Sequence, residues 1–234
     1  MPFTRADDHH LDSCWMTWNN PDTKLKVTTY PMLHIGDQQY YDRLSADLGR
    51  CQYALLEGVS WRLGDAKRPL YDLVAGNLGM VAQERALRVP FSVIRINIDM
   101  MRSEFRVRFF SLPLRYIAMV VLLRRLLWLL TLPPSFRREA VQFGILRRSR
   151  KNSRDEETPL SQLIVGSRDR RIVENLAKFY REHGQTDVPS YAGIVFGAAH
   201  MPAISLGLRQ LGFQVGTRRW VEVLRIPVSG NGRA

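Results

Sequence analysis

The sequence predicts an α/β fold, with a central mixed or parallel sheet flanked by helices. Two observations carry this. Apolar runs of strand length recur between segments of helical spacing, and two distant segments repeat one plan. The first is Met32-Leu33-His34-Ile35-Gly36-Asp37, which continues through Leu44 and Leu48 to Tyr53-Ala54-Leu55-Leu56-Glu57-Gly58. The second is Ile194-Val195-Phe196-Gly197-Ala198-Ala199-His200-Met201-Pro202, which continues through Leu208 and Leu211 to Gly212-Phe213-Gln214-Val215. Each reads as a short apolar strand, a histidine at its carboxyl end, a helix and a second strand. In open α/β sheets the crevice beyond the strand carboxyl ends is where ligands bind.

The elements follow in order. Residues 1–24 read as an irregular segment, with the turn signal Asn19-Asn20-Pro21-Asp22. Lys26 to Leu33 alternates and carries Val27, Thr28, Thr29 and Tyr30, which favours a strand. Asp37 is placed to cap a helix on which Tyr41, Leu44, Ala46 and Leu48 recur. Tyr53 to Val59 reads as a buried strand, Leu70 to Ala86 as a helix, and Phe91 to Ile98 as a strand ending at Asp99. Pro159 to Tyr180 has helical spacing, with Ile172, Leu176 and Phe179 among its core positions. Trp220 to Pro227 reads as a terminal strand, and residues 229–234 as a polar tail. The expected organisation is one α/β domain over 25–228, interrupted by a basic, apolar, helical insertion over 106–159.

Composition narrows the classes. The 234 residues contain 45% apolar residues, an ordinary share for a globular core. Cys14 and Cys51 are too few for a disulfide framework, which fits a reducing compartment. The first twenty residues lack the apolar run of a signal peptide. The expected location is the cytoplasm, or the periphery of the inner membrane face.

The charge is concentrated. Of the net +12, residues 102–154 hold +11, from 13 Lys/Arg against Glu104 and Glu139. That stretch is also the most apolar, with Ile117 to Leu123 and Leu126 to Leu130. A membrane span is disfavoured, because Arg124 and Arg125 would each cost roughly 2.5–3.5 kcal/mol at the bilayer centre. Over 112–132 the readings are an interfacial helix facing anionic lipid, a core helix with arginines at its ends, and, as a third, a membrane span. Nucleic acid is not expected as a partner, since charge alone would argue for it and no reader motif accompanies it.

His34, Glu57 and His200 are the candidate chemistry. Two imidazoles and one carboxylate are divalent-metal ligands, here Mn, Co or Zn, that leave positions open for water and substrate. A carboxylate and a histidine also serve without metal, in general acid–base roles. For each histidine the competing reading is a hydrogen-bonded strand end. Arg168 opens a helix beside Ser167, a candidate cap, and Asp169, a first-turn anion favoured by the helix dipole. Arg168 is placed to bind a carboxylate or oxyanion, with a surface salt bridge as the plain alternative. Asp99 also faces the expected crevice, and Gly197 suits a close backbone approach. No G-x-S-x-G elbow, GxGxxG, P-loop or CxxC pair is present.

Leu33-His34-Ile35-Gly36-Asp37 with Tyr40, Tyr41 and Leu44, then Leu55-Leu56-Glu57-Gly58-Val59, resembles the opening of the TraB/PrgY/GumN family, which includes the Tiki proteases. Arg168-Asp169 with Ile172-Val173 resembles its central arginine motif. Val195 to Ile204, with Leu208 and Gly212-Phe213, resembles its second Gly-x-x-His motif, and Leu78 to Gln83 has a family look. The resemblance covers about 26–105 and 160–226. It implies an EreA/ChaN-like fold and a metal-dependent peptidase site, with metal on His34, Glu57 and His200 and catalysis by Glu57, His200 and Arg168. Two positions depart from the pattern: the first motif has Pro31 where its glycine is expected, and Ser167 stands where an acidic residue is expected.

The leading expectation is therefore a metal-dependent hydrolase acting on a peptide or small molecule, with metal-activated water attacking a carbonyl. The alternative is a non-catalytic ligand- or peptide-binding, regulatory protein of the same fold on a membrane face. It would hold anionic lipid through residues 102–154, and the two departures favour it.

Overall fold

The computed structural model describes residues 3–7, 10–57, 72, 75–76, 79–99, 166–185 and 187–225, with isolated positions between 107 and 122. These form an α/β fold with a mixed central sheet flanked by helices. The strands are β1 (Thr4–Ala6), β2 (His10–Asn19), β3 (Leu25–Met32), β4 (Ile35–Gly36), β5 (Tyr53–Leu56), β6 (Val81–Ala82), β7 (Ile94–Asn97), β8 (Ser190–Gly197) and β9 (Gln214–Arg225). The helices are α1 (Gln38–Leu48), α2 (Gln83–Ala86), α3 (Ser167–His183) and α4 (Met201–Gln210), with a single 3₁₀ turn at Ala198–His200.

The sheet order is β1-β2-β3-β8-β5-β7, with β9 on the other side of β2. The run β3-β8-β5-β7 is parallel, while β1, β9 and β3 each lie antiparallel to β2. Register aligns the carboxyl ends: Met32 lies opposite Gly197, and Leu56 lies opposite both Val195 and Asn97. Four chain segments thus leave the sheet along one edge.

Alternation sends side chains to two cores. Leu55, Ile194 and Phe196 face Ile172, Leu176 and Phe179 of α3 and Met201, Ile204 and Leu208 of α4. Ala54, Leu56 and Val195 face Tyr40, Tyr41, Leu44 and Leu48 of α1. Strands buried on both faces read as continuous apolar runs, which is why β5 and β8 are recognisable in the sequence. Gly193 lets Leu48 approach the sheet, since a Cβ there would stand 2.5 Å from Leu48 Cδ2.

Several expectations need correction. Residues 1–24 are not irregular: β1 and β2 lie there, and the sheet begins before residue 25. The polar residues of β2 hide its character, because Ser13 is buried with Oγ donating to the Pro31 carbonyl at 2.6 Å. The expected helix over Leu70 to Ala86 contains strand β6, which pairs antiparallel with β4 and leaves α2 only four residues. Gln214–Arg225 is one strand, so the expected separate strand from Trp220 begins six residues earlier. At α3, Gly166 rather than Ser167 occupies the N-cap position, with no side-chain cap bond. Asp37 does sit at the N-cap of α1, but its carboxylate accepts from the Arg225 amide instead of capping the helix.

The insertion at 106–159 and the basic stretch 102–154 lie almost wholly outside the described residues, as does the tail 229–234. Among the described residues no helix is long and apolar enough to cross a membrane.

Leu44 is fully buried between α1 and the sheet. Leu44→Ala should lower the unfolding free energy by about 2–5 kcal/mol, measured by urea titration with an unchanged slope.

Candidate functional site

The carboxyl edge of the parallel strands gathers charged side chains. Glu57 follows β5 by one residue and its N–H donates to the Val195 carbonyl at 2.9 Å, extending the ladder toward β8. Asp99 follows β7 by two residues. Its amide donates to Asn97 Oδ1 at 2.9 Å, while Asn175 of α3 donates to the Ile98 carbonyl at 3.0 Å. His200 closes the 3₁₀ turn after β8, buried, with its ring edge-on to Phe196. Arg168 and Asp169 stand four and three residues before Ile172, so they share the sheet-facing side of α3.

Arg168 is the hub. Its Nε donates to Asp99 Oδ1 at 3.0 Å, and its Nη2 donates to Asp99 Oδ2 and to Glu57 Oε1, the latter at 2.8 Å. The Asp99 side chain is 0% exposed and those of Glu57 and Arg168 are 11% and 12% exposed. Glu57 Oε2 accepts the Gly197 amide at 2.5 Å. A side chain at Gly197 would bring its Cβ within 3.1 Å of that oxygen, so the glycine permits the approach expected of it. His200 Nε2 lies 3.5 Å from Glu57 Oε1, and its Nδ1 lies 2.7 Å from Asp169 Oδ1.

These contacts set protonation. Burial alone would raise the Glu57 carboxyl, but His200, the Gly197 amide and Arg168 outweigh it and hold the group down at about 2. Burial alone would lower His200, but the bond to Asp169 and the charge of Glu57 outweigh it and the repulsion of Arg168, holding the imidazole up at about 9. At neutral pH the pair is carboxylate and imidazolium, with Nδ1–H donated to Asp169.

The structure brings Glu57, Arg168 and His200 into one network. His34 leaves the sheet at the same edge but is exposed, and its Nδ1 lies 2.9 Å from Gln83 Oε1. The β4–β6 pair holds it there, as the Gln83 amide donates to the His34 carbonyl at 2.9 Å. As arranged, the expected metal ligands do not form a set. Glu57 is engaged by a guanidinium and an amide, His200 by two carboxylates, and His34 by an amide side chain. Among the described residues no three His, Cys, Asp or Glu side chains are grouped to hold a metal.

Asp169 is the residue that sequence reasoning placed without its role. It reads as a dipole-favoured anion, yet it orients His200 across 31 positions of chain. Its adjacency to Arg168 was the available signal. Asp99 was placed at the crevice, but its double bond to Arg168 had no sequence signature.

Comparison with known proteins finds no family model, no curated protein and no solved structure that matches this chain. The TraB/PrgY/GumN resemblance therefore rests on the short motifs themselves.

Two outcomes follow. Arg168→Met leaves Asp99 and Glu57 buried without their cation and should cost about 3–5 kcal/mol in chemical denaturation. The pair also gives stability a defined pH window. Glu57 contributes fully above its ordinary 4.5 and loses its contribution as pH falls toward about 2. His200 contributes fully below its ordinary 6.5 and loses its contribution as pH rises through about 9. The melting-temperature difference between wild type and the Glu57→Gln/His200→Gln variant should therefore be greatest between those ordinary values. A difference that does not vary with pH would contradict the assignment.

Proposed function

We propose that the chain is a hydrolase acting at a carbonyl of a peptide or small molecule, with Glu57, His200 and Arg168 as its catalytic residues and Asp169 as a positioning residue. The observation that supports this is the pairing of a carboxylate and an imidazole whose environments push their proton affinities apart, at the sheet edge where α/β folds bind ligands. An EreA/ChaN-like fold of the TraB/Tiki type is part of the same reading, supported by the order of the motifs around His34, Glu57, Arg168 and His200.

The chemistry runs through this chain's own groups. Glu57 takes a proton from water as the water oxygen bonds to the carbonyl carbon. A carboxylate held at so low a value accepts the proton only as charge develops, so its contribution lies in position. Arg168 stabilises the oxyanion, using Nη1, which neither Asp99 nor Glu57 engages. His200 gives its Nε2 proton to the leaving oxygen or nitrogen as the scissile bond breaks. Transfer of the proton from Glu57 to His200, across the 3.5 Å gap, restores the starting state.

A divalent metal on His34, Glu57 and His200 would supply an activated water, but the donors' present partners do not fit such a set, and no step is routed through it. Calorimetry with Mn²⁺, Co²⁺ and Zn²⁺ is the check. The expected result is no binding that depends on these histidines. Tight binding lost in His34→Ala/His200→Ala would restore the metal-dependent form of the reading.

One observation favours a second reading, a non-catalytic ligand-binding protein on a membrane face. Glu57, Arg168, Asp99, Asp169 and His200 satisfy one another, as a structural network would. Cytoplasmic or inner-membrane peripheral placement, with residues 102–154 on anionic lipid, belongs to that reading.

A panel of chromogenic peptide and ester substrates separates the two. Glu57→Gln and His200→Gln should each lower kcat/KM by about 10²–10⁴-fold, and kcat/KM should fall about tenfold per pH unit above the His200 value. Hydrolysis unchanged in both variants, or absent from wild type across the panel, would defeat the hydrolase reading.

A further inference from the structure

A second feature lies away from this network. β9 is twelve residues long and, among the described residues, pairs with β2 alone. Its carboxyl end is covered, as Asp37 of α1 donates its amide to the Val223 carbonyl and its carboxylate accepts the Arg225 amide. Gly216 to Arg219 are exposed. Among the described residues no strand pairs with the outer side of that stretch, although the Thr217 amide donates to Thr17 Oγ1 at 2.8 Å; an open edge of this kind is a template for another strand.

The edge borders a cleft of about 380 Å³ between α1 and β9, lined by Arg43, Ala46, Asp47, Arg50, Arg219, Trp220 and Val221. Three guanidiniums meet one carboxylate there, an excess of positive charge. Asp47 lies 3.5 Å from Arg50 and 3.7 Å from Arg219, and it accepts the Tyr30 hydroxyl at 2.9 Å. Arg43 forms no ion pair among the described residues. Arg219 is held over the Trp15 ring at 4.8 Å, so its guanidinium is positioned rather than loose. On the other face of the same strand Arg5 stacks on Trp220 at 4.5 Å.

Arginine on an edge strand is a common guard against aggregation, and arginine near a helix carboxyl end suits the dipole. Neither reason accounts for a cleft behind the exposed edge, with its cations outnumbering its carboxylate. We propose that the exposed edge of β9 and the arginine-lined cleft behind it dock an acidic extended peptide, which joins the sheet as a further strand. Backbone bonds along Gly216–Trp220, other than at the Thr217 amide that Thr17 engages, supply affinity, and alternate acidic side chains reach Arg219, Arg43 and Arg50 on one face and Arg218 on the other. The site is separate from the Glu57–His200 network and does not depend on its chemistry.

The test is fluorescence polarisation with a labelled octapeptide of alternating Glu and Val. Three controls accompany it: the same peptide N-methylated at alternate residues, a Lys–Val counterpart and an eight-nucleotide thymidine oligomer. The Glu–Val peptide should bind, more weakly as salt rises, and Arg43→Glu/Arg219→Glu should weaken it about tenfold or more. The exposed Arg209→Glu on α4 should leave binding unchanged, and circular dichroism should match wild type in both variants. N-methylation should abolish binding, since it removes the donors that a strand needs. Binding that survives N-methylation, an oligonucleotide bound as tightly as the peptide, or no peptide binding at low salt would each overturn the proposal.

Discussion

The bridge from Arg168 to Asp99 and Glu57 is the interaction on which the carboxyl edge depends. Two buried carboxylates from adjacent strands would repel each other and take up protons. A guanidinium between them offsets that repulsion, and its planar fork fixes their spacing. Buried ion pairs are weak contributors to net stability, because desolvation offsets their attraction. What this one supplies is geometry. It ties α3 to the ends of β5 and β7, and it leaves Glu57 turned toward the Gly197 amide and His200.

The packing below makes that geometry available. Ile172, Leu176 and Phe179 press α3 onto the sheet, and this carries Arg168 and Asp169 over the strand ends. Met201, Ile204 and Leu208 do the same for α4 and hold the turn that ends at His200. On the opposite face, Tyr40 and Tyr41 donate to the carbonyls of Pro31 and Leu33, at 3.1 and 2.7 Å, and fix the exit of β3. His34 leaves from that exit, but the β4–β6 pair turns it to Gln83. One edge thus carries two histidines with different surroundings, one inside a charged network and one outside it.

β9 relates the two ends of the molecule's surface chemistry. Its carboxyl part is tied to Asp37 at the start of α1, near the carboxyl edge of the parallel strands. Its middle part is exposed beside the last turns of α1, where Arg43, Asp47 and Arg50 line the cleft. The register shifts in its pairing with β2 show where this long strand departs from regular laddering.

Local pattern determined much of this protein. The apolar runs of β3, β5 and β8, the heptad-like spacing of Ile172, Leu176 and Phe179, and the strand–histidine–helix plan are short-range signals, and they were enough for an α/β fold with Glu57, Arg168 and His200 as candidates. Pairing across long chain distances decided the rest. β2 hid behind His10, Asp12 and Ser13, because a strand held on both sides by partners needs no clean alternation of its own. β6 hid inside a helical pattern until β4 paired with it. Asp169 looked like a dipole anion until the fold set it against His200, and the bond of His34 Nδ1 to Gln83 had no signature in the sequence. The sequence by itself determined which residue types reach the sheet edge, because periodicity is local. Only the tertiary structure decided which of them touch, because a hydrogen bond between Glu57 and Arg168 depends on a distance that no local pattern encodes.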